Sequence, residues 1–281
     1  MLNKNKLFLI PLCLLLVGCS SQKKPGTEKQ SATRTEKKVQ SAAKSTQTNS
    51  QKASASQEES TTSSAAASSQ SEQQASRLAQ LNHELITHLG TVLLPQNDGL
   101  TSGSDKLNAR YHGNAANYTV SYSVGTRAKD FNDSSVAQEI PYAEFTKKTY
   151  SSATEAAQQV THRTASDSQG LPTVDLGHNI KGYLDSGAGQ RYLSWNEGNW
   201  SLSVHAAAVK NEDPTQLAKQ TVAELESYLL PAPQSYGEIR FNVGLSYGSR
   251  EQLVRWQKGN IIYELETHDP STAIKMAASV K

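Results

Sequence analysis

Hydrophobic and polar positions divide the chain into three regimes. An apolar run covers Leu7 to Val17, large apolar side chains then vanish from Ser20 to Ser76 apart from Val39, and periodic patterns begin at Arg77. Leu78, Leu81, Leu85, Leu89 and Val92 recur at the spacing of one helix face and stop short of Pro95, which predicts a helix. About a dozen polar and glycine-rich residues are read as a connection. Tyr118–Val124 then alternates apolar and polar without exception, the pattern of a half-buried strand. Ser152-Ala-Thr-Glu155 matches a capping box and predicts a helix running towards Arg163.

The C-terminal part carries an internal repeat. Trp195-Asn-Glu-Gly198-Asn199 returns as Trp256-Gln-Lys-Gly259-Asn260, an offset of 61 residues. Leu193, Trp200, Leu202 and Val204 match Val254, Ile261, Tyr263 and Leu265 at the same offset. Each copy alternates on both sides of Gly-Asn, so each predicts a hairpin with Gly-Asn at its tip. Asp213-Pro214 and Asp269-Pro270 follow, and Asp at N-cap with Pro at the first helical position favours a helix start. Ala218, Val222, Leu225 and Leu229 mark the apolar face of the first helix, and Ile274, Ala277 and Ala278 that of the second. Trp and Asp are 18 residues apart in the first copy and 13 in the second, a five-residue insertion between strand and helix. Gly182–Leu184 and Glu238–Val243 supply a leading strand to each copy, and Tyr118–Val124 with the Ser152 helix is a candidate third copy. The expected fold is therefore α+β over residues 77–281: a mainly antiparallel sheet with helices over one face. It is built from repeated β-hairpin–helix units at about 182–230 and 237–281.

The Trp-x-x-Gly hairpin followed by a helix resembles small α+β domains of unknown function at the carboxyl ends of extracytoplasmic lipoproteins and membrane proteins of Gram-positive bacteria. Val174-Asp-Leu-Gly-His-Asn-Ile-Lys-Gly182 with the first hairpin resembles a group of uncharacterised lipoproteins from the same bacteria. The likeness covers roughly Val174 to Lys281 and implies a fold and a location, with no activity attached.

The front of the chain points the same way. Lys4 and Lys6 precede the apolar run, which is too short to span a bilayer as a helix and has the layout of an export signal over residues 1–18. A secreted protein with an incidental cysteine fits that layout too. Leu16-Val17-Gly18-Cys19, however, resembles the lipobox of bacterial lipoproteins at all four positions. The resemblance implies cleavage between Gly18 and Cys19, an S-diacylglyceryl group on Cys19, and acylation of the new amino terminus. Two or more chains make a lasting anchor where one binds only marginally. Cys13 would leave with the leader, so the folded part would have no disulfide, thiolate ligand or cysteine nucleophile.

Residues 19–76 then form a Ser/Thr/Gln/Ala/Lys tether with too little apolar surface to offset backbone ordering, and disorder is expected. As a random coil it would span about 40–45 Å r.m.s., enough to hold a domain away from a membrane surface.

Composition gains meaning once the chain is partitioned. The overall 36% hydrophobic and 6% aromatic residues are diluted by the tether. The net +2 combines a leader of +2, a tether of +3 and a remainder of −3 (18 basic, 21 acidic residues). A nucleic-acid partner is not expected from that balance. The basic tether offers two readings: contact with anionic lipid or an anionic envelope polymer, or mere solubility.

Chemical motifs are sparse, and neither a cofactor nor a metal is expected. Gly244-Leu-Ser246-Tyr-Gly248 matches a hydrolase nucleophile elbow, which needs a strand before the serine and a helix directly after; a glycine-rich hairpin turn explains it equally. The seven histidines show no close ligand spacing. His178 stands out because Asp175 is placed to orient its ring, against the alternative of a loop histidine bonded to backbone. Trp195, Trp200 and Trp256 are candidates for a ligand groove, but the equivalent places of Trp195 and Trp256 in the repeat predict core. The expected function is a non-enzymatic envelope-binding or interaction module, lipid-anchored on the extracytoplasmic face of the cell membrane, whose partner is an unknown protein or small molecule. The alternatives are a serine hydrolase using Ser246 and a sensory or regulatory partner of a membrane protein.

Overall fold

The computed structural model describes residues 77–281; the leader, Gly18, Cys19 and the tether lie outside the described residues. Helix α1 covers 77–89 and buries Leu78, Leu81, Leu85 and Leu89. It stops at Gly90, whose φ of 75° suits a residue without a Cβ. Val92 therefore belongs to the extended segment after the helix, earlier than the apolar spacing predicts. That segment is tied down by polar contacts: Asn82 Nδ2 donates to the Pro95 carbonyl (2.8 Å), and the Tyr118 hydroxyl donates to that of Leu93 (2.6 Å).

The strands are β1 (Leu107–Gly113), β2 (Tyr118–Val124), β3 (Ala143–Thr149), β4 (Thr173–Gly177), β5 (Ile180–Gly187), β6 (Gln190–Glu197), β7 (Trp200–Ala207), β8 (Gly237–Asn242), β9 (Gln252–Lys258) and β10 (Ile261–Thr267). Helices α2 (Ala153–Ala157), α3 (Thr215–Leu225) and α4 (Pro270–Ala278) intervene. The described strands form one sheet in the order β1-β2-β3-β10-β9-β8-β7-β6-β5-β4. Neighbours are antiparallel except β7 and β8, which run parallel from Trp200↔Gly237 to His205↔Asn242. The fold is α+β with a mainly antiparallel sheet. Leu107–Gly113, read as part of a polar connection, is a strand because it pairs with β2 along its length and buries Leu107 and Ala109.

Local chemistry explains both Trp hairpins. Gly198 (φ 56°) and Gly259 (φ 64°) occupy the first central turn position, where a type II′ turn needs positive φ. Trp195 then pairs with Leu202, and Trp256 with Tyr263. After the second hairpin, Asp269 caps α4 by accepting from Thr272 N (3.0 Å), with Pro270 in the first turn. After the first, Asp213 accepts from Thr215 N (2.8 Å) while Pro214 takes the cap position, so α3 begins one residue later than expected. Strand and helix are separated by Ala208–Pro214 in the first case and by His268–Asp269 in the second, a connection five residues longer after the first hairpin. α3 ends at Leu225; Leu229, expected on its buried face, lies beyond the helix and is 91% exposed.

Side-chain alternation gives the sheet two unlike faces. One carries Val120, Phe145, Leu265, Val254, Ile239, Val204 and Leu193, and joins α1, α3 and α4 in the main core. The other carries Ser121, Glu144, Glu264, Arg255, Glu238 and Ser201. α2 lies there, in a small separate cluster of Ala156, Val160 and Ile262. Helices thus occur on both faces, unlike the single covered face expected. α2 is also shorter than the capping box suggested. Ser152 Oγ accepts from Glu155 N (3.1 Å), but the helix stops at Ala157, and long-range acceptors take the backbone N–H groups of Thr161 and Arg163.

Candidate functional site

The segment after α2 forms an arch over β5 and β6. At its start, Thr161 N donates to Glu238 Oε2 (2.9 Å) and Arg163 N to Ser201 Oγ (2.9 Å). Asn196 Nδ2 donates to the Arg163 carbonyl (2.9 Å), and the same asparagine accepts from Ser201 Oγ (2.8 Å). The His162 ring stacks on Tyr236 with centroids 3.5 Å apart. At its far end, Leu184 N donates to the Pro172 carbonyl (2.9 Å). Between these fastenings a short 3-10 turn, Ala165–Ser168, holds the chain above the sheet.

A groove of about 970 Å³ lies between the arch and the strands. Thr164, Ser166, Ser168 and Gln169 line it from the arch, and Lys181, Tyr183, Trp195 and Asn196 from β5 and β6. Its charged lining residues are Arg163 and Lys181, and neither forms an ion pair among the described residues. The nearby carboxylates are engaged locally: Asp167 accepts from Thr164 N (2.7 Å) and from its hydroxyl (2.8 Å), and Asp175 from Gly177 N (3.0 Å). Those hydrogen bonds hold the Asp167 carboxyl below the usual carboxylate range. The groove thus combines cations, hydroxyls and amides with the half-buried ring of Tyr183. Its size suits a small molecule or a stretch of polymer.

The sequence candidates fall elsewhere. His178 and Asn179 (φ 51° and 62°) form the two-residue turn between β4 and β5, with the positive φ values of a type I′ turn. The half-exposed His178 ring faces Glu226, Nδ1 to Oε1 3.6 Å, while Asp175 is turned to its own loop. Of the two turn residues, Asn179 and not His178 reaches the groove lining. Ser246 lies between β8 and β9, where its carbonyl accepts from Ser249 N (3.0 Å) and Ser249 Oγ (2.8 Å). β9 follows this turn where an elbow would have a helix. Trp195, Trp200 and Trp256 are all buried, although Trp195 also touches the groove. Arg163 and Tyr183 carry no motif, and Lys181 stands out only as part of the Val174–Gly182 segment, because the arch that assembles them is made by contacts distant in sequence.

Glu197, at the end of β6, is a titrating group away from the groove, in a small cavity with Trp200, Leu225 and Tyr228 beside α3. Burial pushes its carboxyl above the ordinary 4.5, the Trp195 indole N–H opposes this (Nε1 to Oε1 2.7 Å), and Glu226 adds to the rise. Below the ordinary value the group is protonated folded or unfolded, so its ionisation costs the fold nothing. Above the raised value, ionisation opposes folding. Glu197→Gln, which keeps an acceptor for Trp195, is therefore expected to raise Tm near neutral pH and to leave it unchanged near pH 4. Melting curves at both pH values check this, and an equal shift at both would refute the titration account.

Among the described residues no helix is long and apolar enough to cross a membrane, and no group of three or more His, Cys, Asp or Glu side chains is arranged to hold a metal ion. No family model matches the chain, and no curated protein or solved structure is significantly similar to it.

Proposed function

We propose that this protein is a lipoprotein held on the extracytoplasmic face of a cell membrane through Cys19. In this reading residues 77–281 form a non-enzymatic binding module for a component of the cell envelope. The anchor rests on the lipobox Leu16–Cys19, and the tether supplies reach. The observation that carries the binding reading is the groove beneath the arch, with two cations outside any ion pair beside hydroxyls, amides and a tyrosine ring. Such a lining forms hydrogen bonds and ion pairs with a ligand. The resemblance to extracytoplasmic lipoprotein domains of Gram-positive bacteria supports the location.

The two Trp hairpins with their helices are proposed to be diverged copies of one unit. β5-β6-β7-α3 and β8-β9-β10-α4 share an order, and laying two such units side by side in one orientation produces a parallel pair like β7 and β8. The β1-β2-β3-α2 stretch is left outside this scheme, since α2 packs on the opposite face from α3 and α4.

One variant tests anchor and binding together. The Cys19→Ala chain is expected to leave the detergent phase in phase-partition experiments, yet still to sediment with washed envelopes. Adding Tyr183→Ala is expected to release most of that bound fraction without lowering Tm. Continued detergent partitioning of Cys19→Ala would refute the anchor. Envelope binding that is absent, or indifferent to Tyr183, would refute the binding module.

A further inference from the structure

The lining of the groove specifies a kind of ligand, provided that the groove is the binding seat proposed above. We infer that it binds an anionic glycan, a chain of sugar rings bearing carboxylate or phosphate groups. Three features of the lining combine to this end. Arg163 and Lys181 bring positive charge, and no carboxylate is among the lining residues. The backbone of Arg163 is held on both sides, N–H to Ser201 Oγ and carbonyl to Asn196 Nδ2, so its planar guanidinium is presented from a fixed point. That fork matches carboxylate and phosphate oxygens.

Next to the cations stand Thr164, Ser168, Gln169, Asn179 and Asn196, groups that both donate and accept hydrogen bonds. Sugar hydroxyls have the same double character. Tyr183 contributes a half-buried ring, a surface on which the C–H face of a pyranose can lie. A volume of about 970 Å³ exceeds what a lone anion fills. Nucleic acid fits less well: two cations are few, and the domain as a whole carries 21 acidic against 18 basic residues.

The test titrates the full-length protein in detergent against fluorescent oligogalacturonate, phosphorylated mannan and uncharged dextran, followed by anisotropy. Binding of at least one anionic glycan is expected, about tenfold or more tighter than dextran, and weakening by at least about fivefold between about 50 and 300 mM salt. The arm that binds tells carboxylate from phosphate. Arg163→Gln with Lys181→Gln is expected to weaken it by about tenfold or more. If the pair lowers Tm, Lys181→Gln alone, at an exposed position, gives the reading. Equal affinity for dextran, affinity that survives the substitutions (binding through the basic tether), or no binding to either anionic glycan would overturn the assignment. Should Tyr183-dependent envelope binding persist in that event, only the ligand class falls; should it be absent too, the binding module itself falls.

Discussion

Trp256→Ala is expected to destabilise the domain by about 3–5 kcal/mol, among the largest losses that a single truncation produces. Trp256 is only 2% exposed and is among the largest fully buried side chains of the described residues. Its ring packs on Tyr263 (centroids 5.5 Å) and Phe145 (6.2 Å), which stack on each other at 6.0 Å. It thus joins β9 to β10 and, across β10, to β3, near the middle of the ten-stranded sheet. Truncation opens a cavity that the surrounding strands cannot close, because both neighbours of β9 are fixed by ladder pairing. Denaturant unfolding would show the loss as a lower midpoint with an unchanged slope. Leu229→Ala, at a side chain 91% exposed, serves as the control and should stay within about 0.5 kcal/mol of the parent. A Trp256→Ala loss of similar size would refute the central packing role.

Glu238→Ala should cost a comparable amount, about 3–5 kcal/mol, for an electrostatic reason. The Glu238 side chain is 1% exposed in the centre of the polar face. It accepts from Arg255 Nη1 (2.7 Å) and from Thr161 N (2.9 Å), and Arg255 reaches on to Glu264 and to the Gln159 carbonyl. Removing the carboxylate leaves a half-buried guanidinium short of one partner and a backbone N–H without its acceptor. The second loss is local to the arch. Amide exchange at Thr161 and Arg163 should accelerate well beyond what lower global stability explains, and Tm should fall on the order of 10 °C. Unchanged exchange at those amides would mean that Glu238 does not hold the arch. The test therefore links stability to the groove, whose roof depends on this fastening.

These two residues differ in how far they could be read from sequence. Trp256 was legible: period-two alternation, a Gly-Asn turn and a counterpart at Trp195 place it on the inner face of a hairpin. The Gly-Asn hairpin tips, the Asp269 cap and the Ser152 cap were legible for the same reason, since each depends on residues within about four positions. Glu238 was read only as part of a strand. Its burial comes from Arg255 and Thr161, 17 and 77 residues away. The candidate site was hidden in the same way. Sequence directed attention to His178 and Ser246, which the fold puts in turns, while Arg163 and Tyr183 had no local signature and Lys181 entered only within the Val174–Gly182 segment.

The α+β class and the two Trp hairpins with their following helices were thus readable from the chain alone, while the leader and lipobox read at residues 1–19 lie outside the described residues. Each is a property of composition or of neighbouring residues. Tertiary structure alone decided that β3 lies against β10, more than a hundred residues away, and that β7 and β8 run parallel. It also decided that α2 stops after Ala157 and that its continuation arches over β5 and β6. The reason is physical. Backbone N–H groups and buried carboxylates bond to whatever partner the folded chain presents, and for Thr161, Arg163 and Glu238 that partner lies across the sheet rather than along the chain.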